Sequence, residues 1–135
     1  MFQSTTIPVL EQVLQFAQAR HGVLAGNLAN LDTPGYRVAD LSPEQFQEQL
    51  HEAIERRDRP PTTNSPGHQP AAAAHDPVRA VSGSARSILY HDDSNVSIEK
   101  QVAEISKNQS VHNLALTIMT NQFRLLQTAI SERVV

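Results

Sequence analysis

Few residues of this sequence combine the types and the spacing that chemistry requires. His91 is followed by Asp92 and Asp93, which together supply part of a metal-ligand set. A zinc site needs further ligands on a rigid element, and a calcium loop needs a central glycine and a terminal bidentate glutamate, which the segment 92–99 lacks. Cysteine is absent, and no nucleophile is spaced with a base. We therefore expect no catalytic residue, no metal and no cofactor.

Composition narrows the class of protein further. The 135 residues are 39% hydrophobic but only 4% aromatic, which suits one elongated domain better than a thick globular core. The net charge of −3 is spread along the chain, so no basic patch indicates binding to nucleic acid or to a membrane surface. No apolar run is long enough for membrane insertion, and the segment 1–10 lacks the features of a cleavable signal peptide.

Two arrays of residues at alternating steps of three and four, one at each end of the chain, contain most of the large apolar side chains. Such spacing is typical of a helix seam that packs against another helix. The first array is Ile7, Leu10, Leu14, Ala17, His21, Leu24, Leu28 and Leu31, and the second is Ile98, Val102, Ile105, Gln109, His112, Leu116, Met119, Phe123, Leu126 and Ile130. The pattern predicts an all-α fold, an elongated antiparallel coiled coil of N- and C-terminal helices with a short middle helix.

Each terminal helix also carries a second stripe, rotated by roughly 100° from the first. The stripes are Val9, Val13, Phe16, Arg20, Val23, Asn27 and Asn30 in the first helix, and Val111, Ala115, Ile118, Gln122, Leu125 and Ala129 in the last. A two-stranded coiled coil buries one stripe on each helix. Either the middle helix covers a second stripe in a solitary three-helix bundle, or the second stripes meet other subunits or close relatives, which is the interpretation we favour.

Local signals predict where the elements begin and end. The first helix should run from Thr5 or Thr6 to Leu31 and stop at Asp32-Thr33-Pro34-Gly35, in which Pro-Gly is typical of a type II turn. Ser42-Pro43-Glu44-Gln45 is a capping signal for a second helix that ends near Arg56.

The middle of the chain differs in composition from its ends. Residues 57–87 are rich in proline and alanine and should form a flexible connector, since they bury too little apolar surface to offset the entropy of ordering. Order should resume in the extended segment Ser87–His91, and Asn95 should cap a last helix that runs to about Ser131. The predicted divisions are 1–56, 57–87 and 88–135.

The two seams also predict a register. A buried polar group without a partner costs about 1–3 kcal/mol, so we expect the two seam histidines to share one layer. The resulting antiparallel pairs are Leu28 with Ile105, Leu24 with Gln109, His21 with His112, Ala17 with Leu116, Leu14 with Met119, and Leu10 with Phe123.

The segment Leu24–Tyr36, with sequence LAGNLANLDTPGY, resembles the N-terminal signature of the bacterial flagellar rod, hook and hook-associated axial proteins. The C-terminal segments Asn95–Ile105, Lys107–Gln109 and Leu126–Ile130 are similar to the proximal-rod members, and no large inserted β domain is present. The resemblance implies a structural subunit of the basal-body rod, a drive shaft that also forms an export conduit. It implies export through the flagellar type III apparatus without a cleaved signal, and assembly in the periplasm beside other rod subunits and the membrane ring with its adaptor.

On this interpretation, Asn27 and Asn30 face a neighbouring subunit, although they could instead satisfy the last carbonyl groups of their own helix. The other candidate assembly residues are Thr33, Pro34, Gly35, Tyr36, Val111, Ile118 and Leu125. The alternative function is a cytoplasmic helical adaptor or export chaperone, which would share the heptads but has no reason to carry the signature between Asn27 and Tyr36.

Overall fold

A computed structural model describes residues 5–59, 78, 81, 89–92 and 97–132. Its elements in chain order are α1 (Ile7–Ala29), β1 (Val38–Leu41), α2 (Pro43–Asp58), β2 (Leu89–Asp92) and α3 (Ile98–Glu132). The predicted all-α class is confirmed, because helices dominate and the strands form only one short ladder. Within the described ranges, no helix is long and apolar enough to cross a membrane.

α1 is slightly shorter than predicted at both ends. It begins at Ile7 with Pro8 in its first turn, where the missing backbone N–H of proline costs nothing. It ends at Ala29, because the backbone N–H of Asn30 bonds the carbonyl oxygens of Gly26 and Asn27 at 3.1 and 3.3 Å and the chain then leaves the helix. Leu31 therefore lies outside the helix.

The predicted type II turn after α1 is confirmed. The backbone N–H of Tyr36 donates to the carbonyl of Thr33 at 3.1 Å, which closes the four-residue turn. Gly35 has a φ of 77°, in the left-handed region that disfavours a side chain. Pro34 at the preceding position has its φ set by its ring, so the two residues together fix the direction in which the chain leaves α1.

Replacing Gly35 by valine should therefore lower the free energy of unfolding by about 1–3 kcal/mol through backbone strain. A Cβ at this position would meet no atom within 4 Å, so crowding would not contribute. Gly22→Ala is the matched control, because Gly22 is helical and also has open space around it; this change should stabilise by about 0.5–1 kcal/mol. Chemical denaturation measures both, and an unaltered stability of Gly35→Val would contradict the strain argument.

α2 begins as the capping signal predicts. The Ser42 hydroxyl accepts a hydrogen bond from the backbone N–H of Gln45 at 3.3 Å, and Pro43 occupies the first helical position. Glu44 in the first turn and Arg56 and Arg57 in the last turn have the signs that the helix dipole favours. The helix continues to Asp58, two residues past the predicted end.

A two-stranded ladder joins the segment after α1 to the segment before α3. Strands β1 and β2 pair antiparallel, with Val38 opposite Asp92 and Leu41 opposite Leu89. The extended conformation predicted for Ser87–His91 is confirmed over Leu89–His91. Strand β1 was not predicted, because its four residues have no alternating pattern long enough to identify a strand from sequence.

The core is formed where α2 lies against α1. The rings of Phe16 and Phe46 stack with their centroids 4.1 Å apart, and Leu41, Leu50 and Ala53 complete the buried cluster. Val9, Val13 and Val23 pack against it. The second stripe of α1 is thus covered by α2 within the same chain. This contradicts the expectation that it meets another subunit and agrees with the three-helix alternative at this position.

Two residues of the predicted flexible connector also belong to this core. Val78 and Val81 are 0% and 6% exposed, and the backbone N–H of Val81 donates to the carbonyl of Val78 in a turn. Composition alone did not reveal these two valines, since the average polarity of residues 57–87 conceals single apolar anchors. The other residues of the connector after Arg59 lie outside the described residues.

α1 and α3 pack antiparallel, as predicted, but in a different register. Asn27 bonds Gln101, Arg20 bonds Glu104 and Ala17 bonds Asn108. Ala17 therefore lies about two helical turns from its predicted partner, Leu116. The predicted cap Asn95 lies outside the described residues; the backbone N–H of Lys100 donates to the Ser97 hydroxyl at 3.4 Å at the start of α3.

Candidate assembly surface and the polar layers that support it

Asn27 is fully buried and organises the junction between α1, β1 and α3. Its Nδ2 donates to the carbonyl of Ala39 at 2.6 Å and to Oε1 of Gln101 at 3.3 Å. Its Oδ1 accepts from the backbone N–H of Ala39 at 3.1 Å and from the hydroxyl of Tyr36 at 3.2 Å. The side-chain amide thus bonds both backbone groups of one strand residue, as a neighbouring strand would. This contradicts the expectation that Asn27 faces another subunit.

Asn30 bonds the end of its own helix, which is the alternative to a contact with a neighbouring subunit. Its Nδ2 donates to the carbonyl of Gly26 at 2.9 Å, which satisfies one of the last acceptors of its own helix. Thr33, Pro34 and Gly35 are exposed in the turn, and Tyr36 is partly exposed with its hydroxyl directed to Asn27. The signature segment therefore stabilises the chain reversal after α1 through hydrogen bonds within the subunit.

Arg20 is the centre of a second polar layer, about two helical turns before Asn27 on α1. Its Nε and Nη2 bond the two carboxylate oxygens of Asp40 at 2.9 and 2.7 Å, and Nη2 also bonds Glu104 at 2.9 Å. Lys107 bonds the other oxygen of Glu104 at 2.8 Å. The hydrogen bond to Asp40 raises the pKa of Arg20, so the guanidinium remains charged. One cation thus links α1, the end of β1 and α3.

This layer predicts a dependence of stability on acidity. The hydrogen bond from Lys107, followed by that from Arg20, lowers the pKa of the Glu104 carboxyl below 4.5, although its partial burial opposes the shift. Because the folded pKa is depressed, the contribution of Glu104 is complete above 4.5 and is lost as the pH falls through the folded pKa. Glu104→Gln should therefore flatten the loss of stability in acid, and Lys107→Met should flatten it partly. If the free energy of unfolding of Glu104→Gln fell in acid as steeply as that of the wild type, this role would be contradicted.

The predicted pairing seam is only partly buried. Ala17 and Leu24 are each 1% exposed, but other predicted members form two groups. Half-buried residues are Leu10, Leu14, Ile105, His112 and Met119, and exposed residues are His21, Leu28, Leu116 and Phe123. The buried centre of the α3 seam is instead Gln101, Asn108 and Ala115. Ala115 is small and allows close approach of the helices, and Gln101 and Asn108 form hydrogen bonds to α1. The buried face of α3 is therefore rotated from the predicted seam toward these three residues.

Apolar side chains remain exposed on two sides of α3. We name the first group flank A and the second flank B; residue 118 of flank A and residue 123 of flank B are about 140° apart around the helix axis. Flank A is Val111, Leu114, Ile118 and Leu125, at 38–64% exposure, and flank B is Leu116, Phe123 and Ile130, at 42–67%. Flank A contains the three predicted assembly residues of α3, and exposed apolar groups of this extent are typical of interaction surfaces.

His21 and His112, which the sequence placed in one layer, line one open cavity of about 300 Å³ beside Ala17 and Asn108. The Nδ1 atom of His112 is buried and has no hydrogen-bond partner. Among the described residues, no three His, Cys, Asp or Glu side chains are grouped to hold a metal ion.

Sequence reasoning missed the polar residues that determine the register. We did not single out Gln101, Asn108, Glu104 or Asp40 from the sequence. One signal was available: Gln101, Asn108 and Ala115 recur at intervals of seven, the same period as the apolar seam.

The fold and its surface define a helical protein in which α3 leaves apolar side chains exposed on two flanks. The chain is similar to the flagellar basal body rod protein FlgB of Salmonella typhimurium, with 26% identity over 121 residues and 84% of each chain covered. It is also 26% identical to FlgB of Bacillus subtilis, over 95% of each chain, and to FlgB of Escherichia coli, over 84% of each. No protein-family model and no solved structure matches the chain.

These similarities extend over most of both chains, so they cover the helices and the signature segment alike. They support a relationship with the FlgB rod proteins.

Proposed function

We propose that this chain is a structural subunit of the proximal rod of the bacterial flagellar basal body, where it forms part of the drive shaft that transmits torque and of the export conduit. The observation that carries the proposal is the apolar surface of α3, which one subunit leaves exposed. Similarity to basal body rod proteins over most of the chain supports it.

The proposed partners are other rod subunits, with self-association in the assembled rod, the ring protein and its adaptor at the rod base, and the flagellar type III export apparatus. The proposed location is the periplasmic part of the basal body, reached through the flagellar type III export apparatus. A chain that buries part of its apolar surface only against neighbouring subunits is stabilised by binding to them. Before assembly it lacks this stabilisation, which favours an unfolded chain during export and ordering on assembly.

The direct test is fractionation of a strain in which an epitope-tagged copy replaces the corresponding gene. Basal bodies are isolated after detergent extraction, and the proposal requires the tagged chain to copurify with them and the strain to swim. A cytoplasmic adaptor or export chaperone would instead remain in the soluble cytoplasmic fraction, and that result with intact rods would refute the proposal.

Charged substitutions on flank A should abolish rod incorporation without unfolding the subunit. The triple variant Val111→Glu, Ile118→Glu and Leu125→Glu places carboxylates on the surface where we expect a neighbouring subunit. Burying these carboxylates in an interface without partners costs free energy and therefore opposes association. Thr117→Glu, on the exposed side of α3 away from α1, is the matched control and should swim normally. Motility and copurification are measured together with the unfolding curve of each purified variant. Normal motility of the triple variant would contradict the role of flank A.

A further inference from the structure

An open cavity lies between α1 and α3 at the layer where Asn108 bonds Ala17. In this layer Nδ2 of Asn108 donates to the carbonyl of Ala17 at 2.7 Å, and both residues are buried and line the cavity. His21 follows Ala17 by about one helical turn, and His112 follows Asn108 by about one turn. Because the two helices run antiparallel, the histidines lie on opposite sides of the layer.

Helix geometry directs both imidazole rings back over this layer. A side chain on an α-helix leans toward the N-terminus of its own helix. His21 therefore leans toward Ala17, and His112 leans toward Asn108, which explains why both line one cavity of about 300 Å³. The Cα atoms of the two histidines are about 12 Å apart along the helix axes, so the rings flank a gap that a ligand of a few atoms can occupy.

The cavity is lined by polar side chains, one of which lacks a partner. Nδ1 of His112 is buried and has no hydrogen-bond partner. His21, Gln18 and Gln109 are exposed and line the same cavity, so an imidazole and two side-chain amides stand at its open side. A buried polar atom without a partner is costly, and a group bound in the cavity is in position to supply the missing bond.

The histidines are the titratable groups of this cavity. Within the described residues, its lining comes from α1 and α3 and contains no Asp, Glu, Lys or Arg. The nearest charged groups along the two helices are Arg20 and Lys107, and both bond Glu104 in the neighbouring polar layer. A proton taken up by either imidazole near neutral pH therefore adds a positive charge without a carboxylate beside it.

We propose that this cavity binds an anionic group with two acceptor oxygens, a carboxylate or a phosphate, between the rings of His21 and His112. The site goes beyond the proposed function and does not depend on it. Each imidazole donates one N–H to one oxygen at about 2.7–2.9 Å, so the anion joins α1 to α3 and supplies the counter-charge. A metal ion would need one nitrogen of each ring within about 2.1 Å of a common centre, which histidines on opposite sides of a layer do not favour.

Titration of the full chain with acetate tests the site, because acetate stays ionised throughout the range in which histidine takes up a proton. Calorimetry should show binding that is at least about tenfold tighter near pH 6 than near pH 8, since the protonated rings donate charge-assisted hydrogen bonds. His21→Ala and His112→Ala should each weaken binding by about tenfold or more. His51→Ala is the matched control, because His51 is exposed on α2 away from the cavity, and it should leave the affinity unchanged.

A carboxylate built into the cavity should replace the ligand. Gln18→Glu keeps the shape of the side chain and adds a negative charge to the cavity lining. Near pH 6 it should raise the midpoint of thermal unfolding above that of the wild type and weaken acetate binding at least about tenfold. Gln127→Glu, the same change on an exposed part of α3 outside the cavity, is the matched control and should do neither.

Two sources can supply such an anion, a free small molecule or an acidic side chain of another protein. Binding of a capped peptide with one glutamate at lower concentration than acetate or inorganic phosphate would indicate the side chain, and binding of acetate or phosphate without the peptide would indicate the free anion. Phosphate also stabilises proteins by exclusion from their surface, so each effect is measured against His21→Ala.

Three results would overturn the site. The first is equal affinity for acetate in the wild type, His21→Ala and His112→Ala. The second is the absence of binding by all three probes, which would leave the cavity to water. The third is a Zn²⁺ complex that requires both histidines in a chain that binds no anion. His21 is exposed, so His21→Ala tests the site independently of any change in packing at His112.

Discussion

Replacing Arg20 by alanine should lower the free energy of unfolding by about 3–5 kcal/mol, the largest effect we expect of any single change in the chain. The Arg20 side chain is 8% exposed, and its partners Asp40 and Glu104 are 13% and 24% exposed. The substitution removes the cation bonded to Asp40 and leaves Glu104 with Lys107 as its remaining cation. It also removes the side chain that joins the end of β1 and α3 to α1 in this layer, since Arg20 bonds both Asp40 and Glu104. Urea denaturation followed by circular dichroism measures the effect.

An exposed pair provides the control for the Arg20 experiment. Arg56 and Glu52 are similarly close, at 2.7 Å, but their side chains are 65% and 54% exposed, so Arg56→Ala should cost less than about 1 kcal/mol. Adding Asp40→Asn and Glu104→Gln to Arg20→Ala should recover part of the lost stability, because it removes the uncompensated charges. A triple variant as unstable as Arg20→Ala would show that packing of the arginine stem, and not charge, is responsible.

Replacing Asn27 by alanine should lower the free energy of unfolding by about 3 kcal/mol, since each buried partner left without a hydrogen bond costs about 1–3 kcal/mol. The partners are the backbone N–H and carbonyl of Ala39, together with Gln101 and the Tyr36 hydroxyl. Amide hydrogen exchange at Ala39 should accelerate in this variant, because its N–H loses its acceptor. This expectation reverses the one from sequence, in which Asn27 affects assembly only.

Asn30→Ala is the matched control for Asn27. Its amide makes one hydrogen bond, to the carbonyl of Gly26 at the end of α1, so the substitution should cost about 0.5–1.5 kcal/mol. If Asn27→Ala left the unfolding curve unchanged but abolished copurification with basal bodies, Asn27 would act between subunits after all.

Local structure was predictable wherever a few adjacent residues restrict the backbone. Pro34 and Gly35 determined a type II turn, and Ser42 with Pro43 determined a helix start, because each depends on the preferences of one or two residues. Heptad periodicity likewise identified two long helices, since amphipathic spacing records which residues share a face. These parts of the prediction needed no knowledge of what packs against what.

Packing between elements was predicted less well. The sequence could not distinguish whether α2 or a neighbouring subunit covers the second stripe of α1. The rings of Phe16 and Phe46 stack only because the segment between α1 and α2 places α2 against α1. Val78 and Val81 likewise join the core from a segment whose composition predicts flexibility. Both contacts join residues far apart in the chain, and no local signal encodes them.

By itself, the sequence determined an all-helical chain with paired ends, a sharp turn between Asn30 and Tyr36, and more apolar helix surface than one partner helix can cover. Only the tertiary structure decided the register of α1 against α3 and the inward orientation of Asn27. The physical reason is that apolar seams tolerate sliding by a heptad, because one leucine contact resembles the next. Buried hydrogen bonds such as those of Arg20 with Glu104 and of Asn108 with Ala17 require specific donors and acceptors within about 3 Å, which a shifted register would not provide.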